Sequence, residues 1–193
     1  MKKFLAILIL IFTLQTPSLA DDIRDFQIEG MSIGDSLLDY YSETEIKESI
    51  LKSNYKDKSF IRLRFAKNFD TYKSIHVHIK DNDSKYIIHM IAGTQHFKDD
   101  MNGCEKQKKK IEQELKSFFK NAEIKNLGKF KHRGDPSGKS TVSTTSFKLA
   151  NMDYAAVSLQ CYDWSKKMKF IDHLRVKFMS KDYYYWIVNK AYK

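Results

Sequence analysis

The sequence predicts an α+β domain: a mostly antiparallel β-sheet with two short N-terminal helices and one long amphipathic helix, in the order ααβββαβββ(β). Three observations support this class. Two capping signals stand near the N terminus, six runs alternate apolar and polar residues, and one long amphipathic segment separates the first three runs from the last three. We expect helices to cover one side of the sheet. The 193 residues, of which 42% are hydrophobic, fit a single folded domain over residues 21–193.

The N terminus predicts export. Lys2 and Lys3 precede an apolar run over residues 4–14, and small residues lead up to Ala20 before two aspartates. This is the pattern of a secretory signal peptide, so we expect residues 1–20 to be cleaved after Ala20. The apolar run is shorter than a membrane span requires, and no later run in the sequence is long enough. We therefore expect a periplasmic or secreted product with no transmembrane helix in the mature chain.

Capping boxes predict the two short helices. Ser32 precedes Asp35 by three positions, and Ser42 precedes Glu45 by three positions. In such a box, the hydroxyl and the carboxylate bond the free amides at a helix start. We expect one helix that ends near residue 41 and a second over about residues 43–53.

The next three runs predict a meander of strands. Residues 61–65, 75–80 and 86–90 alternate apolar and polar side chains, and residues 81–84 are typical of a tight turn. If that turn is centred between Asn82 and Asp83, His76 faces His89. The first two runs pair so that Arg64 lies beside His76 and Arg62 beside His78.

The second half of the chain predicts the long helix and the remaining strands. The helix starts at Asp99 and Asp100 and ends near residue 120, and a polar stretch then leads to the loop at residues 134–138. Three alternating runs follow, at residues 141–149, 154–162 and 170–179. Residues 183–188 are a candidate for a fourth strand in this half, in which Tyr184 and Trp186 would share one side.

Two cysteines predict one disulfide. Cys104 lies on the apolar face of the long helix, and Cys161 lies on the apolar face of a strand, so both sulfurs point toward the core. An even number of cysteines in an oxidising compartment favours a bridge between them. Two free buried thiols are the alternative.

One face of the predicted meander is basic. Arg62, Arg64, His76, His78 and His89 share it, and we identify these five residues as a candidate site for an anionic ligand. A solvated face that only keeps the sheet in solution explains the same residues. In a third interpretation, His76, His78 and His89 hold a zinc ion with an open position that activates water.

Charge and composition restrict the partners. The formal net charge is +10, or +8 once Lys2 and Lys3 are removed, but only five of the 34 basic residues are arginine. Arginine is favoured for phosphate and base contacts, so we expect no nucleic-acid partner. An AT-rich genome also explains the excess of lysine. The expected partner is an anionic small molecule or a component of the cell envelope.

Two strings resemble catalytic motifs but fail in context. Residues 34–37 spell the Gly-Asp-Ser-Leu motif of an esterase family, yet the sequence holds no Asp-x-x-His partner. Residues 134–140 resemble a phosphate-binding loop, but Arg133 occupies the position of the required first glycine, and a strand-forming run follows. We therefore assign no catalytic residue from either string.

The string DFQIEGMSIGDSLLDYYS at residues 25–42, directly after the signal peptide, resembles small exported proteins of marine alphaproteobacteria. This resemblance supports export and implies no activity or ligand. The sequence as a whole predicts an exported domain that is non-catalytic, has no cofactor, and either binds a ligand or associates with the envelope. The alternative is a small zinc-dependent hydrolase that uses His76, His78 and His89.

Overall fold

The fold is an eight-stranded antiparallel sheet with three α-helices, seen in a computed structural model that describes residues 23–67, 69–150 and 152–193. The predicted signal peptide lies outside these residues. The elements are α1 (Glu43–Glu48), β1 (Ile50–Leu51), β2 (Phe60–Phe65), β3 (Ser74–Lys80), β4 (Met90–His96), α2 (Met101–Phe118), β5 (Glu123–Lys131), β6 (Thr141–Lys148), β7 (Val157–Asp163), β8 (His173–Met179) and α3 (Lys181–Asn189).

The sheet consists of two meanders that meet in its middle. Its strand order is β1-β2-β3-β4-β8-β7-β6-β5, so each strand pairs with a sequence neighbour except where β4 pairs with β8. At that junction Ala92 lies opposite Lys177, and Thr94 lies opposite Arg175. The predicted mixed architecture with an antiparallel sheet is confirmed, and the sheet holds more strands than we predicted.

The predicted N-terminal helices are shorter in the structure. Ser42 and Glu45 form the complete capping box at α1, but β1 follows two residues after that helix ends because Ile50 and Leu51 pair with β2. The first predicted helix is a single 3-10 turn, Leu37–Asp39, that Ser36 caps. The Ser42 box locates the start of α1, and sheet pairing sets where the chain leaves that helix. The Ser32 amide does donate to Asp35 at 2.8 Å, but no helix starts there, so this predicted start is wrong.

Strand β5 lies where the sequence predicts only a polar stretch. Its nine residues are exposed except for the half-buried Ile124, and it lies at the sheet edge with a bulge between Asn126 and Gly128. Lysines and a bulge are typical of edge strands that resist pairing with other chains. Such a strand lacks the apolar alternation by which strands are recognised in a sequence.

The predicted C-terminal strand is wrong, since residues 181–189 form helix α3. Ser180 caps this helix by accepting a hydrogen bond from the amide of Tyr183 at 3.4 Å. Tyr183 and Trp186, three positions apart, are buried, whereas Tyr185 is exposed. The period is therefore helical, and Tyr184 does not share a side with Trp186 as a strand would require.

One face of the sheet, which we call the apolar face, packs against α2 and forms the main core. The disulfide between Cys104 of α2 and Cys161 of β7 crosses this contact, with an S–S distance of 2.01 Å. Phe26 packs beside it on Phe119 and Phe178. Helix α3 packs on the opposite face, so the prediction that helices cover only one side is wrong. No helix in the described ranges is long and apolar enough to cross a membrane.

Candidate anion-binding face

The side of the sheet opposite α2 carries a cluster of basic side chains. We define the basic face by seven residues of β2, β3 and β8, which the strand pairing places on the same side. The predicted register of β2 with β3 is confirmed, because Arg62 pairs with His78 and Arg64 with His76. The seven residues are Arg62, Arg64, His76, His78, His173, Arg175 and Lys177.

Small side chains form the floor between the basic strands. Ala92 and Thr94 of β4 lie between β3 and β8 in the ladder, and both are buried. Ser74 and Ser158 continue the floor on either side and are also buried. Because these side chains are short, the longer basic side chains of β2, β3 and β8 rise above them on both sides.

The two groups of basic residues are close enough to interact. Neighbouring strands are about 4.8 Å apart, so β2 and β8 are separated by about 14 Å, which two long side chains can bridge. The pKa of His76 is lowered to about 3, chiefly by burial and further by Arg175, Arg62 and Arg64. Charges from both β2 and β8 therefore act on one imidazole of β3.

Lys177 experiences the same environment. Burial, and to a smaller extent the charge of Arg175, lower the pKa of its ammonium to about 8. Burial, together with Arg62 and His76, also lowers the pKa of His78 well below its usual range. Burial and neighbouring positive charges therefore both disfavour the charged forms of His76, His78 and Lys177.

The strands that form the basic face contain no acidic residue. Strands β2, β3, β4 and β8 lack Asp and Glu altogether. None of the ion pairs among the described residues includes Arg62, Arg64, Arg175 or Lys177. The contacts that exist are with neutral groups: Arg62 donates to the Lys52 carbonyl at 3.3 Å, and Arg175 lies over the ring of Tyr162 at 4.9 Å and donates to its hydroxyl at 3.5 Å.

Buried polar atoms without a hydrogen-bond partner concentrate on this side of the sheet. Of the seven such side-chain atoms in the described part of the chain, only Gln95 Oε1 belongs to another face. An unpaired buried polar atom costs about 1–3 kcal/mol, so most proteins avoid such clusters. The six atoms are Arg62 Nε, His78 Nδ1, Thr94 Oγ1, Ser158 Oγ, His173 Nε2 and Arg175 Nε.

Helix α3 closes one end of the basic face with aromatic side chains. The ring of Tyr183 lies 4.8 Å from that of His78, and Tyr55 Oη lies 3.1 Å from His78 Nε2. Trp186 packs at 4.9 Å on Phe60, which lies next to Arg62 on the same side of β2. Tyr183 and Trp186 of α3, together with Tyr55, therefore form a wall of this face.

The predicted register of β3 with β4 is wrong, and His89 does not lie opposite His76. His76 pairs with Ala92, and His78 pairs with Met90. His89 precedes β4, where its Nδ1 lies 3.0 Å from Ser180 Oγ and its ring packs on Phe60. The predicted turn is longer than two residues because residues 86–88 bond to residues 34–37 before β4 begins.

The zinc alternative depended on that register. Within the described ranges, no group of three or more His, Cys, Asp or Glu side chains is arranged to hold a metal ion. Zinc binding at His76, His78 and His89 stays a prediction without support from the pairing of these strands. His76 and His78 remain on the basic face with the two arginines, as predicted.

Sequence reasoning missed half of the basic face. His173, Arg175 and Lys177 alternate with Leu174, Val176 and Phe178, so their strand was predicted. The sequence does not reveal that β8 pairs with β4, which brings these residues beside the histidines of β3. The one local signal was the absence of acid in four strands that each carry a basic residue.

The two motif-like strings have structural roles. Ser36 caps a 3-10 turn and donates to the Lys85 carbonyl at 2.7 Å, so its hydroxyl is engaged. In the second string, Asp135 accepts hydrogen bonds from Ser137, Ser140 and Ser165, which lowers the pKa of its carboxyl far below the usual range. This carboxylate fixes the loop between β5 and β6 to the chain after β7.

Comparisons of the chain with protein-family models, curated proteins and solved structures find no match. The functional argument therefore depends on the geometry of the basic face.

Proposed function

We propose that this chain is an exported, non-catalytic domain that binds an anionic ligand on the basic face. The ligand lies above Ala92 and Thr94, between the arginines of β2 and the Arg175–Lys177 pair of β8. Basic groups approach from both sides, so a ligand with more than one anionic group, such as a polyphosphate or a polycarboxylate, fits best. The disulfide between Cys104 and Cys161 is consistent with export.

The observation that carries this proposal is the set of six unpaired buried side-chain atoms, four on the basic face and two on its floor, among the described residues. Arg62 Nε and Arg175 Nε are donors only, and Thr94 Oγ1 and Ser158 Oγ can donate. An anion supplies acceptors to all of them and neutralises the charge that lowers the pKa of Lys177 and His76. A merely solvated basic face would leave these atoms bonded to water at the surface rather than buried.

Binding couples to protonation. His76 is neutral at pH 7 because its pKa is about 3 in the ligand-free protein. A bound anion stabilises the imidazolium and raises that pKa, so the complex takes up protons. We therefore expect affinity to increase as the pH falls from 7 toward 5.

Isothermal titration calorimetry with inorganic pyrophosphate and with citrate tests the proposal. We expect binding of at least one probe, with an affinity that falls as NaCl is raised. Arg62→Gln and Arg175→Gln should each weaken binding by at least about tenfold, because each removes charged hydrogen bonds to the ligand. Lys110→Gln is the charge control, since Lys110 is exposed on α2, which packs on the opposite side of the sheet.

Failure of both anions to bind the folded wild-type protein would overturn the proposal, as would equal weakening by Lys110→Gln. Circular dichroism and the intact disulfide establish that each variant is folded. Native mass spectrometry tests the zinc alternative: a zinc ion that binds the wild type and is lost when His76 and His89 are both changed to Ala would favour the hydrolase.

A further inference from the structure

The connection between β7 and β8 presents apolar and basic side chains together at one end of the sheet. We define the loop patch as Trp164, Lys166, Lys167, Lys169, Phe170 and Ile171. Phe170 is 59% exposed and Ile171 is 45% exposed, which is unusual for two consecutive large apolar residues. All three lysines are exposed.

The backbone holds these side chains outward. The 3-10 turn Lys166–Met168 ends at Lys169, whose φ of 56° lies in the left-handed region that lysine rarely adopts. Asp172 accepts a hydrogen bond from the amide of Trp164 at 2.7 Å and closes the base of the loop. Ser165 donates a hydrogen bond to the buried Asp135 at 2.8 Å, which joins the β5–β6 connection to the base of the β7–β8 loop.

Aromatic contacts continue the patch into the sheet. The ring of Trp164 lies 4.9 Å from Phe170 and 4.6 Å from His132. On the neighbouring strands Phe130, which is 44% exposed, shares a ladder row with Tyr162, whose ring stacks on Trp164. Phe170 therefore stands on a packed aromatic base, and Phe130 lies in the same row of the sheet as that base.

The charge of the patch is positive. Residues 164–171 contain three lysines and no acid. Lys131 at the end of β5, and Arg133 and Lys139 in the adjacent β5–β6 connection, are also exposed. Two of the nearby acids are engaged: Asp163 pairs with Lys129 at 3.0 Å, and Asp172 bonds backbone amides. Asp99 and Asp100 lie across a groove of about 720 Å³ that Lys166 and Lys167 also line.

We propose that the loop patch docks the protein on an anionic phospholipid surface. Phe170 and Ile171 insert at the level of the acyl boundary, Trp164 lies at the interface, and the three lysines contact the phosphates. A protein partner fits less well, because three of the six residues of the patch are lysines, and lysine is depleted from protein interfaces. This proposal does not depend on the anionic ligand of the basic face.

Sedimentation with vesicles tests the docking. The disulfide-bonded protein is mixed with vesicles of phosphatidylcholine alone and with vesicles of equal parts phosphatidylcholine and phosphatidylglycerol. We expect binding only to the anionic vesicles. The double variant Phe170→Ser/Ile171→Ser should reduce the partition coefficient by at least about tenfold, and the triple variant Lys166→Gln/Lys167→Gln/Lys169→Gln by about a hundredfold.

A matched charge control distinguishes the patch from general attraction. The triple variant Lys106→Gln/Lys109→Gln/Lys110→Gln removes the same charge from exposed positions of α2 and should keep wild-type partition. Equal loss in both triple variants would overturn the proposal, as would failure of the wild type to bind anionic vesicles. Concentration-dependent dimerisation that disappears in Phe170→Ser/Ile171→Ser would also overturn it, because a second copy would then occupy the patch.

Discussion

The two sides of the sheet each carry a lysine with restricted access to solvent, and the surroundings of the two lysines differ. On the apolar face, Lys108 of α2 is 5% exposed, donates to Ser143 Oγ at 2.7 Å and pairs with Glu105 at 2.8 Å. Ser143 in turn donates to Glu105. On the basic face, Lys177 has no ion-pair partner among the described residues, and its pKa is lowered to about 8.

The charge of Lys108 is neutralised by Glu105 on the side of the main core, whereas the charge of Lys177 has no acidic partner among the described residues. Acidic residues are present in the connections and helices around the sheet but absent from β2, β3, β4 and β8. A protein that keeps unpaired charge on one face accepts lower stability there, which is the usual relation between a binding site and its fold. The following three predictions test this relation.

Loss of the disulfide is the largest expected effect and weakens the apolar face alone. Replacing Cys104 and Cys161 together by Ser removes a bridge between positions 57 residues apart, which should lower the free energy of unfolding by about 4 kcal/mol by the loop-entropy relation. Urea denaturation of the oxidised wild type and the double variant measures this change. Pyrophosphate affinity at a temperature where the variant remains folded should be unchanged. A selective loss of affinity would mean that the two faces are not independent.

A pair of lysine substitutions compares the faces directly. Lys108→Met should lower the free energy of unfolding by about 2 kcal/mol, because it leaves Glu105 and Ser143 with an incomplete network. Lys177→Met should raise it by about 2 kcal/mol, since it removes a charge that burial disfavours. Chemical denaturation at pH 7 measures both, and destabilisation by Lys177→Met would show that Lys177 has a partner in the folded state.

The pH dependence of stability gives the smallest effect. His76 has a folded pKa of about 3 and His173 of about 4, both below the ordinary value of 6.5. Between these values the unfolded chain binds protons that the folded chain does not, so stability falls as the pH is lowered from 6.5. His76→Gln should reduce the loss between pH 7 and pH 5.5 by about 1 kcal/mol. His96→Gln, at an exposed position, is the control for denaturation midpoints measured at both pH values.

The sequence predicts regular elements best where two patterns agree. The register of β2 with β3 follows from two strictly alternating runs, and Arg62 and Arg64 lie beside His78 and His76 as expected. The register of β3 with β4 does not follow, because Ile88 bonds to Asp35 before β4 starts. That contact joins segments distant in sequence, and no local turn signal encodes it.

Four of the seven residues of the basic face were predicted, and the other three were not, because alternation gives the pairing within a hairpin but not between distant strands. Arg62, Arg64, His76 and His78 belong to one hairpin, so alternation places them on one side. His173, Arg175 and Lys177 join them only through the pairing of β4 with β8, which alternation does not specify. In helix α3, packing of Tyr183 and Trp186 on His78 and Phe60 outweighs the strand preference of the tyrosine run.

The pairing of β4 with β8 also sets the order in which the domain can be completed. Every other strand contact joins neighbours in the chain, so each meander can form locally, but this contact closes a loop from residues 90–96 to residues 173–179. Strand β8 is also the last strand of the chain to be synthesised. The two halves of the basic face therefore meet only after residues 173–179 have been made, and a shorter nascent chain carries only the half that Arg62, Arg64, His76 and His78 form.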